Sequence, residues 1–201
     1  RLTGVGADDW LRAKMRLSSP RFRKALLRER GLTIGRLDSR YTGRDTDDLG
    51  DLPENDASAN AIDTAYVAAV KDHLGRTLKV SMDRAYRGFN RDALRKWDWG
   101  LKPRSGLGFA NHWPTSVNVA PALARILREQ PHLSVLVLNG LYDLATPFFA
   151  AELAFTVNAV DPDRITMKYY EAGHMMYVHT ASLNASAADI RATIRSAGGG
   201  A

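Results

Sequence analysis

The sequence predicts an α/β protein, a parallel sheet flanked by helices and preceded by a mostly helical segment. Three observations lead there. Residues 135–138 and Ile165–Tyr170 are apolar, β-branched runs of strand length. Helical patterns precede, separate and follow them, over residues 119–130, 148–160 and 181–194. That order, helix–strand–helix–strand–helix, is the rhythm of a parallel sheet with helices packed outside it. Before Trp113 the texture differs, with helical stretches separated by irregular polar loops.

Taken in order, residues 7–15 suit a short helix. Ser19 and Pro20 supply an N-cap and a first-turn proline for a helix running to Arg30, where Gly31 stops it. On that helix Phe22, Ala25 and Leu26 share one face, and Arg21, Lys24 and Arg28 are expected largely outside. Residues 42–59 turn acidic and loop-like around Gly43, Gly50 and Pro53. Ile62, Tyr66, Ala69 and Val70 recur at helical spacing, so residues 57–74 form a helix ended by Gly75. A mixed stretch follows, with Trp97 to Gly100 and a glycine-containing loop through Gly108. On the helix over 119–130, Leu123, Ile126 and Leu127 lie on one side, and Pro131 and His132 break it. Two strands do not make a sheet able to stand alone, and both are of the kind buried on two faces in a complete domain.

Bulk properties narrow the classes. The chain has 201 residues, 45% of them hydrophobic, enough for one domain or a core plus a cap. No apolar stretch approaches the ~20 residues of a membrane span. With no initiator Met and no charged-then-apolar signal segment, the chain is expected to begin partway through a longer protein. The absence of cysteine excludes disulfides and thiolate metal sites. The net charge of +6 is concentrated early: residues 12–30 hold eight basic side chains and one acid. With no aromatic stacking run or nucleic-acid motif beside it, this cluster reads as a solvated helix face, not a nucleic-acid or membrane site.

The chemistry concentrates in two loops. The first strand delivers Asp143 in a tight loop closed by Thr146-Pro147, and the second leads through Gly173 to His174. Ligands in open α/β sheets bind at such carboxyl ends. The 31-residue separation of Asp143 and His174 fits one loop–helix–strand crossover, which brings two neighbouring strand ends together. A histidine there can take and return a proton near neutrality, and an adjacent acid can fix its tautomer. Taken singly, Asp143 suits a turn or helix cap and His174 a structural role. Together they form the tail of the order Ser…Asp…His used by α/β-hydrolases. No Gly-x-Ser-x-Gly elbow occurs in the sequence, and Ser105-Gly106 lacks the preceding glycine. His174 and His179 are five apart, and no His-Glu-x-x-His is present, so no metal is expected. Gly106 and Gly108 fall short of a dinucleotide fingerprint, and no cofactor is expected. Trp97, Trp99 and Trp113 suit packing between the two segments, with a peptide pocket as the alternative. Glu171 suits either a second carboxylate near the histidine or a loop cap; Tyr177 and His179 have no assigned role.

The segments Gly140-Leu141-Tyr142-Asp143-Leu144-Ala145-Thr146-Pro147-Phe148-Phe149-Ala150 and Lys168-Tyr169-Tyr170-Glu171-Ala172-Gly173-His174-Met175-Met176-Tyr177-Val178-His179 resemble the Asp and His loops of serine carboxypeptidases, closest to the bacterial branch. The likeness extends upstream through residues 21–24, 35–43 and 97–99, and so covers most of the chain. It implies the C-terminal portion of an α/β-hydrolase, with residues 1–112 as a helical cap segment and 113–201 completing the core. By the same resemblance Asp143 and His174 match the catalytic acid and base, and Met175 matches a residue lining the pocket for the substrate's C-terminal residue. The implied substrate is a peptide, and the implied compartment is periplasmic or secreted. The implied partner is the N-terminal half bearing the nucleophile, upstream or as a separate chain. Without a nucleophile this chain is expected to be inactive alone. Lack of cysteine departs from the disulfide-rich eukaryotic members. Two other readings remain: another α/β-hydrolase chemistry (esterase, acyltransferase or hydroxynitrile lyase), or a non-catalytic module whose basic helix engages an acidic partner.

Overall fold

The computed structural model describes residues 3–81, 83–88, 90–97 and 118–198. About half the chain is helical, and the described strands form two separate two-stranded sheets, one antiparallel and one parallel. Asp98, Trp99, Ser105, Gly106, Gly108, Trp113 and the boundary at 112/113 lie outside the described residues.

Helix α1 spans Ala7–Arg12, with Asp8 and Asp9 in its first turn and Arg12 in its last, each favourable to the helix dipole. Helix α2, Ser19–Ala25, carries Pro20 in its first turn, but its N-cap is Ser18. The Ser19 hydroxyl instead donates to the Leu144 carbonyl (2.7 Å), tying this helix to the loop that carries Asp143. The expected continuation to Arg30 gives way to a separate 3₁₀ turn, Arg28–Arg30, closed by Gly31 in the left-handed region at φ 63°. The early break has a local cause. The Thr33 hydroxyl donates to the Arg23 carbonyl near the helix end, and the 3₁₀ turn leads directly into strand β1, Leu32–Ile34.

Strand β1 pairs antiparallel with β2, Thr42–Arg44, a pairing too short to leave a period-2 signal in the sequence. The acidic loop that follows binds the basic helix. Lys24 is buried against Asp45 (2.6 Å) and also donates to the Asp47 carbonyl. Buried Arg23 donates to the Ile34 carbonyl (3.0 Å) and faces Asp56, while Arg21 pairs with Asp51 (2.8 Å). The expectation that Lys24 lies outside is therefore corrected: its counter-charge comes from the same chain, and the loop folds over it.

Helix α3 runs Ala57–Asp72 from an Asp56 N-cap. It passes into a wider π turn, His73–Thr77, so Gly75 sits within the turn and does not end the helix. A six-residue helix α4, Arg91–Lys96, starts where the Asn90 side chain accepts the backbone N–H groups of Asp92 and Ala93.

The C-terminal part follows the expected order: α5 (Ala120–Glu129), β3 (Val135–Gly140), α6 (Phe148–Val157), β4 (Ile165–Tyr170) and α7 (Thr180–Gly198). Strands β3 and β4 pair in parallel, with Val135 opposite Ile165 and Gly140 opposite Tyr170. The buried cluster is Ala120, Ala124, Leu127 and Val160, with Leu123, Val135, Ala154, Phe155 and Ile165 packed against it. Leu123 and Leu127 face inward as the periodicity requires, but Ile126 is exposed, and alanines complete the buried stripe. Helix α7 is tied to β4 through Asp189, which accepts from Tyr170 (2.7 Å) and pairs with Lys168 (3.1 Å). Burial, and then that hydrogen bond, push the Tyr170 hydroxyl's pKa well up.

Candidate acid–base site

Pairing of β3 with β4 carries on past the strand ends. Leu141 N–H donates to the Tyr170 carbonyl and Tyr142 N–H to the Ala172 carbonyl, both at 3.0 Å. The two loops leave the sheet side by side, which only small residues allow. A side chain on Gly140 would place its Cβ 2.2 Å from the Gly173 carbonyl oxygen. One on Gly173 would place its Cβ 2.3 Å from the Leu37 carbonyl oxygen and 2.5 Å from the Asp38 Cβ.

These approaches bring Asp143 and His174 together. His174 Nδ1 lies 2.9 Å from Asp143 Oδ2. The carboxylate is buried and the imidazole is 42% exposed, so the acid is fixed and the base faces solvent. Asp143 Oδ1 accepts the backbone N–H groups of Ala145 (2.7 Å) and Thr146 (2.9 Å), and Oδ2 accepts the Thr146 hydroxyl (2.7 Å). Burial by itself would raise the carboxyl pKa. The Thr146 N–H, His174, the Thr146 hydroxyl and the Ala145 N–H outweigh it and hold the pKa below the usual value.

The same contacts decide the tautomer. Thr146 Oγ1 also lies 3.2 Å from His174 Nδ1, but its one proton points at Asp143. Nδ1 therefore faces two acceptors and must carry the imidazole proton. Nε2 makes no hydrogen bond among the described residues, and in the neutral ring it is left as the free base.

Several residues around this pair drew no role in the site from the sequence, Thr146 being read only as closing the loop. Thr146 sits three residues after Asp143, and an Asp followed at that distance by Thr is the signal of a side-chain-closed turn. Residues 36–40 touch both loops: Leu144 N–H donates to the Arg36 carbonyl (3.1 Å), Ser39 N–H to the Tyr142 carbonyl (2.9 Å) and His174 N–H to the Leu37 carbonyl (2.6 Å). Asp38 is buried and accepts from Nε and Nη2 of the Arg40 guanidinium at 3.0 and 2.6 Å. No local sequence pattern announces the backbone bonds of Arg36, Leu37 and Ser39, because their partners lie more than a hundred residues further along the chain.

The remaining candidates fall away from the pair or beside it. Glu171 accepts the Tyr142 hydroxyl (3.0 Å), and that bond raises the tyrosine's pKa. Met175 is half-buried and lines a cavity of about 20 Å³ with Leu37, Asp38, Tyr41, Ser58, Ile62, Gly173 and Val178. His179 bonds the buried Ser182 hydroxyl (2.7 Å) at the start of α7. Trp97 is exposed. Among the described residues no group of three or more His, Cys, Asp or Glu side chains could hold a metal, and no helix is long and apolar enough to cross a membrane. Comparison with known protein families, with curated proteins and with solved structures finds no match to this chain.

Proposed function

We propose that this chain carries the acid and the base of a serine-type carboxypeptidase, within the C-terminal portion of an α/β-hydrolase core. The observation that carries the reading is the 2.9 Å contact between Asp143 and His174 at the carboxyl ends of two adjacent parallel strands, with Nε2 turned away from the acid. The likeness of both loops to serine carboxypeptidases supplies the reaction class. The sequence holds no Gly-x-Ser-x-Gly, so the nucleophile comes from a preceding half of the enzyme.

In the assembled enzyme the serine attacks the carbonyl carbon of the substrate's last peptide bond while His174 Nε2 takes its proton. Asp143 holds the ring in the Nδ1–H form and stabilises the imidazolium. That imidazolium then protonates the amine of the departing C-terminal amino acid as the carbon–nitrogen bond breaks. Water, deprotonated by the same nitrogen, hydrolyses the acyl-enzyme and restores the serine.

The rival reading, a module binding an acidic partner through its basic helix, loses support from the ion pairs. Arg21, Arg23 and Lys24 already face Asp51, Asp56 and Asp45 of this chain.

Joining the chain to a nucleophile-bearing upstream half is expected to give hydrolysis of blocked dipeptides. His174→Ala should then lower kcat by ~10⁴-fold or more, as loss of a triad base does. Near-normal turnover of that variant would remove the assignment. The 201-residue chain alone should resist labelling by a fluorophosphonate probe.

A further inference from the structure

The sheet aligns the two loops only as far as Ala172, the last residue joined to the Asp143 loop by a backbone bond. His174 lies two residues beyond, and its own backbone N–H is held by Leu37, from a distant part of the chain. What orients the imidazole is therefore not the strand pair alone.

We propose that Arg40 is a positioning residue, clasping residues 36–40 across both loops so that His174 meets Asp143 in the Nδ1–H form. This rests on reading that pair as base and acid. Arg40 grips Asp38 with Nε and Nη2, and the Asp38 backbone and Cβ pack directly on Gly173. Its remaining arm donates to the Glu171 carbonyl (3.2 Å), on the histidine side. Its guanidinium carbon stands 4.5 Å from the centre of the Tyr142 ring, on the acid side. Tyr142 completes the loop by donating to the Glu171 carboxylate. One planar cation thus touches the residue preceding Asp143 and the residue three before His174. An ordinary surface ion pair contributes little, because water screens it and two side chains must be ordered. This one differs in geometry: the forked contact to Asp38 fixes orientation, which a lysine's single ammonium cannot, and the guanidinium over the Tyr142 ring adds a cation–π contact.

The test uses the 201-residue chain with ¹⁵N-labelled histidine. Long-range proton–nitrogen NMR reads which ring nitrogen of His174 holds the proton in the neutral ring. The unsubstituted chain should show Nδ1–H, and Asp143→Asn should lose that bias. Arg40→Met should fall to the tautomer mixture of Asp143→Asn, while the amide signals of β3 and β4 persist. Arg40→Lys, which keeps the charge but not the fork, should recover only part of the bias. If Asp143→Asn loses the bias and both Arg40 variants keep it, the clasp is wrong and the acid–base pair stands. If the unsubstituted chain already shows Nε2–H, the pair itself fails. Loss of the strand signals in both Arg40 variants would also overturn the proposal, making Arg40 a residue of the fold and not of the histidine's orientation.

Discussion

Asp143 accepts more hydrogen bonds than a turn residue needs, and the surplus has a thermodynamic consequence. Its folded pKa is depressed, because burial, which opposes ionisation, is outweighed by the Thr146, His174 and Ala145 donors. A carboxyl held below its unfolded pKa contributes stability above that value, and the contribution is lost as pH falls through the folded pKa. The loss should start near the unfolded value of about 4 and continue below it. Asp45, Asp56 and Asp189 are depressed in the same direction, so acid destabilisation alone does not isolate Asp143. Asp143→Asn does. Urea unfolding across pH 3 to 7 should show the variant less stable at neutral pH, with the gap closing in acid. A gap constant over that range would mean that what Asp143 contributes to stability does not depend on its ionisation, and the linkage argued from its depressed pKa would fail. Both members of the pair were legible as residue types on strand ends. Thr146, which fixes the tautomer, was legible only as a turn-former.

At the scale of elements, the basic cluster shows where composition misleads. A helical pattern with Arg21, Lys24 and Arg28 off its apolar face reads as solvated, since cations avoid burial unless paired. The pairing comes from the acidic loop, itself unremarkable in sequence. Lys24 and Asp45 are each 2% exposed, whereas Arg21 and Asp51 are largely in water. Removing one partner of a buried pair leaves the other uncompensated, at about 3–5 kcal/mol. Lys24→Ala should lower the urea midpoint strongly, whereas Arg21→Ala should cost under about 1 kcal/mol. Equal effects would show that burial of Lys24 does not matter. The elements themselves divide the same way. Helices and strands beyond residue 118 were legible because ten-residue helices and six-residue strands carry full periods. The three-residue strands β1 and β2, and the contacts of residues 36–40, depend on distant partners and leave no period to read.

On the scale of the molecule, the parallel pair is the anomaly. Residues 135–138 of β3 are only half-buried, although parallel strands ordinarily have both faces covered. Among the described residues the sheet has two strands, and β3 and β4 each keep an edge without a strand partner there, a template for further pairing. The helices match this pattern. Leu183, Ile190 and Ile194 recur at helical spacing along α7 and are exposed, as are Leu153 and Val157 on α6 and Tyr66 and Val67 on α3. Among the described residues the buried apolar side chains, by contrast, are mostly alanines and valines, with Ile34, Leu127 and Tyr170 the larger ones. A core of that size offsets little of the ~1–2 kcal/mol per residue that ordering the backbone costs. The chain by itself should therefore be marginally stable and prone to associate through these surfaces. Heating should give a broad transition whose midpoint depends on protein concentration, and the folded chain should bind the dye ANS. Supplying a half that covers the β3 edge should sharpen the transition and displace the dye. A sharp, concentration-independent transition of a monomer without ANS binding would show that these faces need no cover. The acid–base pair would then have to act on a sheet of two strands.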